Sequence, residues 1–178
     1  FVDELGKAYQ ALMSEQTPKL PTLEISYGDY AAWQRDYLQG EQLEHLLDHW
    51  QQQLSGFETL QLPTDFNRPA EFDHRGLDVP FELSVGLSAE LRALCKARGT
   101  TMYTVLLSGF YVTLAALSSQ QDIVIGTPSE NREQAQVQDL IGFFVNALVI
   151  RAQVGANQTI EQLIAQVHQQ VTQAKVHQ

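Results

Sequence analysis

Hydrophobic residues recur at helical spacing along much of this 178-residue chain. The pattern predicts a helix over residues 2–15, a second helix that begins at Ser26, and a third that follows Gly40. Ser26 and Asp29 have the spacing of a capping box, in which each side chain accepts a bond from the other residue's backbone amide. The apolar stripe of the third helix consists of Leu43, Leu46, Leu47, Trp50 and Leu54.

The second half of the chain contains three more predicted helices. We expect Ser88 to cap a helix that ends at Gly99, an apolar helix over about residues 101–118, and a closing helix over about 158–176. Before them, residues 56–74 contain Gly, Pro and Asn and predict a connecting loop. The apolar stripe of the closing helix consists of Ile160, Leu163, Ile164, Val167 and Val171.

Three short runs predict strands, at residues 76–84, 122–127 and 143–154. Pro80 favours an edge or a bulge for the first run, because proline has no amide to donate to a ladder. The second is a short apolar run typical of a parallel strand. Strands placed among helices in this order predict an α/β fold with a central mixed sheet flanked by helices.

Asn146 stands out within the third predicted strand, because both faces of that strand are otherwise apolar up to Arg151. Such a strand lies in the interior of a sheet, where an amide without a partner costs about 1–3 kcal/mol. Two interpretations remain open. Asn146 bonds to a neighbouring loop or bulge, as most buried polar groups do, or it holds an amide of a ligand.

Composition narrows the class of protein. Hydrophobic residues make up 44% and charged residues 18% of the chain, which indicates a folded domain. The net charge of −10, without a cluster of Lys and Arg, argues against nucleic-acid binding. The longest apolar stretch, residues 102–117, is shorter than the roughly 20 residues that cross a bilayer, so we expect no membrane span. The single cysteine favours a cytoplasmic location, and the first residue, Phe1, indicates a piece of a longer polypeptide.

Three other patterns have ordinary structural explanations. His45 and His49 have the spacing of a helical metal pair, but they face away from the leucine stripe, and Leu46 stands where the zinc-protease motif has glutamate. Cys95 fits a buried and unreactive thiol. The letters G-T-P at residues 126–128 describe a turn and lack the Gly-Lys-Ser/Thr of a phosphate-binding loop.

The start of the second helix, "YGDYAAW" at residues 27–33, is by pattern alone a capped helix whose Trp33 lies in the core. The same stretch resembles the Tyr-x-Asp-Tyr-Ala-x-Trp motif of condensation domains from nonribosomal peptide synthetases. "IGFFVNALVIR" at residues 141–151 resembles their Ile-Gly-x-Phe-Val-Asn motif. "LPTDFNRP" at 62–69 and "DIVIGTPSENRE" at 122–133 are also similar to that family, in the expected order, and the final His177-Gln178 resembles the start of its next motif.

The resemblance covers residues 1–178 and implies the C-terminal lobe of a condensation domain, with the chloramphenicol-acetyltransferase-like fold. It implies that the N-terminal lobe and the end of the domain lie outside the chain. The family's His-His-x-x-x-Asp-Gly motif does not occur in the sequence. We therefore expect no catalytic residue in this fragment and no activity from it alone.

The resemblance also implies a reaction and partners. The family forms amide bonds when the amine of an acceptor aminoacyl thioester attacks a donor acyl or peptidyl thioester. It implies no directly bound cofactor, since phosphopantetheine is carried by peptidyl carrier proteins. The implied partners are the N-terminal lobe, those carrier proteins and an adjacent adenylation domain. A noncatalytic condensation-like module that recruits a partner enzyme is the main alternative, beside epimerisation, heterocyclisation and free-standing acetyltransferase relatives.

Site residues follow from the same resemblance. It places Asn146 near the active centre, and we expect the polar stretch 129–139 to reach toward the partner lobe. Residues expected at the substrate channel are Asn146, Arg151, Asn131 and Arg132. Residues of the structural motifs are Tyr27, Asp29, Trp33, Gly142 and Phe144.

Overall fold

The computed structural model describes residues 1–67, 69–71 and 73–178. Arg68, in the stretch "LPTDFNRP", and Phe72, in the predicted connecting loop, lie outside the described residues. The helices are α1 (Val2–Met13), α2 (Tyr27–Tyr37), α3 (Gly40–Gln53), α4 (Val85–Arg98), α5 (Met102–Ser118) and α6 (Ile160–Val176), the strands are β1 (Asp122–Ser129) and β2 (Asn146–Gln153), and Ala135–Val137 form a 3-10 turn. The rest of the predicted loop at 56–74 contains neither helix nor strand among the described residues, as expected.

Side-chain caps define where most of these helices begin. Ser26 and Asp29 form the predicted capping box of α2, and Thr159 forms another with Gln162 at α6. Thr101 caps α5 by accepting the amide of Thr104. These caps confirm the predicted starts of the three helices to within two residues.

The cap of α4 lies one turn earlier than predicted. The hydroxyl of Ser84 accepts the amide of Leu87, whereas Ser88 lies inside the helix and donates its backbone amide to the carbonyl of Ser84. Two serines four residues apart offer equivalent capping side chains, and Gly86 between them suggests a loop rather than a first turn. The predicted end is confirmed, because Gly99 closes the helix in the left-handed region at φ 60°.

The described residues divide into two compact units. The first unit comprises residues 1–49 and 128–146, and the second comprises 50–127 and 147–178. The core of the first unit is a small cluster formed by Tyr30, Val137, Leu140 and Phe144, with Ile25 packed against it.

The second unit has the larger core, in which α5 and α6 pack together with the sheet. Tyr111 lies at its centre, fully buried, and donates its hydroxyl to the carbonyl of Ile150 over 2.7 Å. Within this unit Trp50 contacts the end of α6, because its indole N–H donates to the carbonyl of His177. The buried members of this core are Leu107, Tyr111, Leu114, Ile123, Leu148, Ile150, Ala152, Leu163, Val167 and Ala174.

β1 and β2 form a two-stranded sheet. The amide of Val154, just after β2, donates to the carbonyl of Gln121, just before β1, over 2.7 Å. Because each strand has eight residues, a bond between these two ends requires an antiparallel pair. The parallel orientation expected for residues 122–127 is therefore wrong, since an apolar run fits either orientation and the partner strand decides it.

β2 begins at Asn146, three residues later than predicted. Leu148, Ile150 and Ala152 are buried, while the residues between them are exposed or half-buried. The expectation of a strand buried on both faces is therefore wrong, because the core of the second unit covers one face only. Phe143 and Val145, which precede the strand, are exposed.

Residues 76–84 do not form a strand. Leu77, Val79 and Phe81 alternate as predicted, but their side chains are 97%, 84% and 83% exposed. An alternating segment becomes a strand when another strand completes its ladder bonds, and the sheet among the described residues contains β1 and β2 alone.

In residues 1–67, 69–71 and 73–178, no single helix combines the length and the hydropathy needed to cross a bilayer. The bent pair α4 and α5, with 107° between the two helices, meets that criterion only when both are taken together.

Candidate functional site

Tyr27 holds the backbone just before β2. Its hydroxyl donates to the carbonyl of Phe143 over 2.9 Å. Its ring lies across Gly142 so closely that a Cβ at this position would fall 2.3 Å from Cδ2 of Tyr27. Any side chain at residue 142 therefore requires the Tyr27 ring to move.

Phe144 lies in an aromatic cluster with two tyrosines from α2. Its ring meets Tyr27 edge-on at 5.2 Å between centroids and Tyr30 at 4.7 Å, and the Phe144 side chain is buried. Tyr27 and Tyr30 are three residues apart on a helix and so share a face. Tyr30 is the member of this cluster that the sequence prediction did not single out, although its spacing from Tyr27 indicated it.

Arg132 contacts this cluster at Phe144. Its guanidinium carbon lies 4.0 Å from the centroid of the Phe144 ring. Nη1 of the same side chain donates to the carbonyls of Val137, Gln138 and Leu140 over 2.5, 3.2 and 2.9 Å. One arginine thus joins the 3-10 turn and the residues after it to Phe144.

Asn131 adds a further link to α2. Its backbone adopts the left-handed region at φ 50°, which asparagine tolerates better than most residues. Its side-chain amide donates to the hydroxyl of Tyr30 over 3.3 Å. Burial is the main cause that raises the pKa of Tyr30, with a smaller contribution from Tyr27, so the phenol is neutral at physiological pH.

Asp29 and Trp33 lie on the same helix, and the Trp33 ring lies 5.7 Å from the ring of Tyr30. The Asp29 carboxylate accepts the backbone amide and hydroxyl of Ser26, and these bonds lower its pKa. Trp33 is 42% exposed and stacks on Tyr37 at 5.2 Å, so the expectation that it lies in the core is wrong. Tyr30 occupies the buried face of α2 instead.

Asn146 is the first residue of β2 and is half-buried. Asn146 lies two residues after Phe144 and follows the segment 142–144, which Tyr27 and Arg132 contact. In an extended chain Asn146 and Phe144 point to the same face. Among the predicted channel residues, Asn131 and Arg132 thus belong to the same unit and the same network as the approach to Asn146.

Arg151 belongs to the second unit. Its guanidinium forms a two-point ion pair with Asp122, over 2.8 and 2.5 Å, and Nη1 donates to the carbonyls of Gln53 and Ser55. The bond from Arg151 is the main cause that lowers the pKa of Asp122. This arrangement joins β1, β2 and the end of α3.

No group of three or more His, Cys, Asp or Glu side chains forms a metal site among the residues that the structure describes. His45 and His49 lie on α3, and Cys95 is a half-buried free thiol on α4.

The chain is similar along its whole length to proteins of one family. The family model of the condensation domain matches residues 1–178. A linear gramicidin synthase polypeptide from Brevibacillus parabrevis is 39% identical over 100% of this chain, which spans 4% of that polypeptide. Malpinin synthetase from Mortierella alpina is 38% identical over 98% of this chain, which spans 2% of that synthetase.

Solved structures agree with the sequence matches. A four-domain nonribosomal peptide synthetase bound to AMP and glycine matches with a TM-score of 0.81 and 29% identity, over 100% of this chain and 14% of that one. The X-domain from teicoplanin biosynthesis matches with a TM-score of 0.85 and 26% identity, over 97% of this chain and 40% of that one. The same X-domain has been solved in complex with OxyB.

These similarities confirm the predicted α/β fold of the chloramphenicol-acetyltransferase-like class. They also confirm the resemblance carried by "YGDYAAW" and "IGFFVNALVIR". The chain belongs to the condensation-domain family of nonribosomal peptide synthetases.

Proposed function

We propose that this chain is part of a condensation domain that joins a donor acyl or peptidyl thioester to the amine of an acceptor aminoacyl thioester. The observation that supports this most directly is the position of Asn146. The motif Ile-Gly-x-Phe-Val-Asn ends on a half-buried amide at the first residue of β2, after a segment held by Tyr27 and Arg132.

The proposed reaction makes one bond and breaks one. The acceptor amine attacks the donor carbonyl carbon, a C–N bond forms, the C–S bond breaks, and the thiolate leaves as the amine loses its proton. The rate depends on alignment of the two substrates and on donors that stabilise the developing oxyanion. The Asn146 side chain has two N–H donors and a carbonyl acceptor, so it can bind either the donor carbonyl oxygen or an amide of the substrate.

The proton acceptor and the carriers belong to other parts of the assembly in this proposal. The base is supplied by the N-terminal lobe, and the substrates arrive on phosphopantetheine arms of peptidyl carrier proteins, beside an adenylation domain in the same cytoplasmic enzyme. No cofactor is bound by this chain itself. The four-domain architecture of a solved relative supports partners of this kind.

The test uses the complete domain with both carriers loaded and measures amide formation in a single turnover. Asn146→Ala is expected to lower the rate about 100-fold, in the range that loss of one oxyanion donor causes. Asn157→Ala, at an exposed residue before α6, is the matched control and is expected to leave the rate unchanged. An Asn146→Ala domain that is folded and forms product at the normal rate contradicts the proposed role of this residue.

A noncatalytic role in recruiting a partner enzyme is the second candidate. The similarity to the teicoplanin X-domain, with a TM-score of 0.85 and 26% identity, favours it. Absence of product from the complete unmodified domain with loaded carriers, together with binding of an enzyme encoded beside it, supports this candidate over condensation.

A further inference from the structure

We propose that Arg132 is a positioning residue, which holds the backbone that enters β2 and so fixes the direction of the Asn146 side chain. The effect on catalysis rests on the proposed function. The effect on the backbone rests on the geometry around Arg132 alone. Direct contact with substrate was the role that the family resemblance implied, and the two roles predict different results.

The first part of the argument concerns the carbonyls that Arg132 binds. Val137 ends the 3-10 turn, and Gln138 and Leu140 follow it. Carbonyls at the end of a helical turn lack partners within the turn and require a donor from elsewhere. Nη1 of Arg132 donates to all three, beside the Leu140 amide that the Val137 carbonyl also accepts, so one side chain closes the loop from residue 132 to residue 140.

The second part concerns Phe144. The carbon of the same guanidinium lies over its ring, 4.0 Å from the centroid, while Tyr27 and Tyr30 contact the ring from α2. Residues 141–143 are therefore held between two points that share Arg132, one at Leu140 and one at Phe144. Tyr27 holds the middle of this span at Gly142 and Phe143.

The third part concerns register. In an extended chain a shift of one residue moves every side chain to the opposite face. With Phe144 held by Arg132, Asn146 and Leu148 lie on the same face of β2, and Leu148 is buried in the core of the second unit. The buried Leu148, Ile150 and Ala152 keep the register of β2 itself, so loss of that hold displaces the residues before Leu148 and lets the Asn146 side chain turn away.

Lysine cannot perform both tasks of Arg132. A guanidinium is planar and donates in its plane while its face contacts an aromatic ring, whereas an ammonium is a compact charge without a flat face. Arg132→Lys therefore separates the two roles. It keeps the charge that a substrate contact would use and loses the geometry that positioning requires.

The experiment compares Arg132→Met, Arg132→Lys and Asn146→Ala with the double variant Arg132→Met/Asn146→Ala in the complete domain. Single-turnover amide formation is measured together with hydrogen exchange of the amides at residues 141–147. Arg132→Met is expected to slow amide formation about 10- to 100-fold, because a displacement of about 1 Å in a reacting group costs that much. In a domain that already contains Asn146→Ala, Arg132→Met is expected to cause no further decrease in the rate of amide formation.

Arg98→Met is the matched control, since it removes a guanidinium from an exposed ion pair with Glu161. It is expected to leave both readouts unchanged. Arg132→Met and Arg132→Lys are expected to speed exchange at 141–147 and to leave exchange in α5 unchanged, which shows that the variants are folded. If Arg132→Met unfolds α5, the rate of amide formation and the exchange at residues 141–147 in Arg132→Lys test the proposal instead.

Three results overturn the proposal: equal losses from Arg132→Met in the presence and absence of Asn146, unchanged exchange at 141–147, or a full rate for Arg132→Lys. A wild-type domain that forms no amide contradicts the proposed function instead. In that case the exchange measurement still tests whether Arg132 holds the entry to β2.

Discussion

The ring of Tyr27 occupies the space that a side chain at Gly142 would need, with Cδ2 2.3 Å from the position of the missing Cβ. Gly142→Ala is therefore expected to destabilise the protein by about 1–3 kcal/mol, the usual cost of overpacking. The urea midpoint of unfolding measures this change.

Gly109→Ala is the control for that substitution. A Cβ at Gly109 meets no atom within 4 Å, and the residue lies in the interior of α5. Alanine there is expected to raise stability by up to about 1 kcal/mol, because glycine is a poor helix former. Similar destabilisation by both substitutions contradicts the steric explanation at Gly142.

Tyr111→Phe tests the buried hydrogen bond at the centre of the second unit. Removal of the hydroxyl leaves the carbonyl of Ile150 without this donor in a fully buried place, so we expect a loss of about 1–3 kcal/mol. Burial raises the pKa of Tyr111 well above its ordinary value, so the phenol remains the donor across the usual pH range.

Tyr103→Phe provides the comparison on the same helix. Tyr103 is 44% exposed and donates to Thr127. Water replaces this bond when the hydroxyl is removed, and the expected loss is below about 0.5 kcal/mol. Thermal unfolding followed by circular dichroism compares the stability of the two variants. An equal loss of stability from both contradicts a special role for the buried hydrogen bond of Tyr111.

Ser84→Ala tests the observed start of α4. Loss of the side chain that accepts the amide of Leu87 is expected to cost about 1 kcal/mol of stability. Ser88→Ala, at the residue that the sequence pattern favoured, is expected to be neutral or slightly stabilising because Ser88 lies within the helix. The reverse order of the two effects in denaturant titrations favours a helix that starts at Ser88.

The helices were largely predictable from the sequence, because their signals are local. A capping serine or threonine, an apolar repeat and a terminal glycine all lie within one or two turns of the residue that they define. Ser26 and Gly99 are examples. Where two local signals compete, as at Ser84 and Ser88, sequence alone does not order them.

The strands and the contacts of the site were less predictable, since they depend on distant partners. Residues 76–84 have the alternation of a strand but no partner strand among the described residues. Tyr27 and Phe143 are 116 positions apart, so no local pattern indicates their bond. The motif resemblance identified structural residues in both stretches, 27–33 and 141–151. The structure adds that Tyr27 of the first stretch binds the backbone of the second at Phe143.

The ion pair between Asp122 and Arg151 predicts how stability depends on pH. Because the pKa of Asp122 is lowered in the folded protein, its ionised form stabilises the fold above the pKa of the unfolded chain. This contribution is expected to be complete near neutral pH and to be lost as the pH falls through the lowered pKa of Asp122 in the folded protein. Asp122 and Arg151 are 26% and 18% exposed, so solvent screens the pair only in part.

Asp122→Asn isolates this contribution from those of the other carboxylates. At pH 7 we expect the variant to be about 1–3 kcal/mol less stable than the wild type, in line with bonds to charged groups. As the pH falls toward 2.5 the difference is expected to shrink, because protonated Asp122 no longer attracts Arg151. Urea titrations of both proteins across this pH range measure the difference in stability.

The exposed pair of Asp3 and Lys7 serves as control, since Asp3→Asn is expected to change stability little at either pH. A gap between wild type and Asp122→Asn that is equally large at pH 2.5 assigns the loss to side-chain shape and contradicts the role of charge.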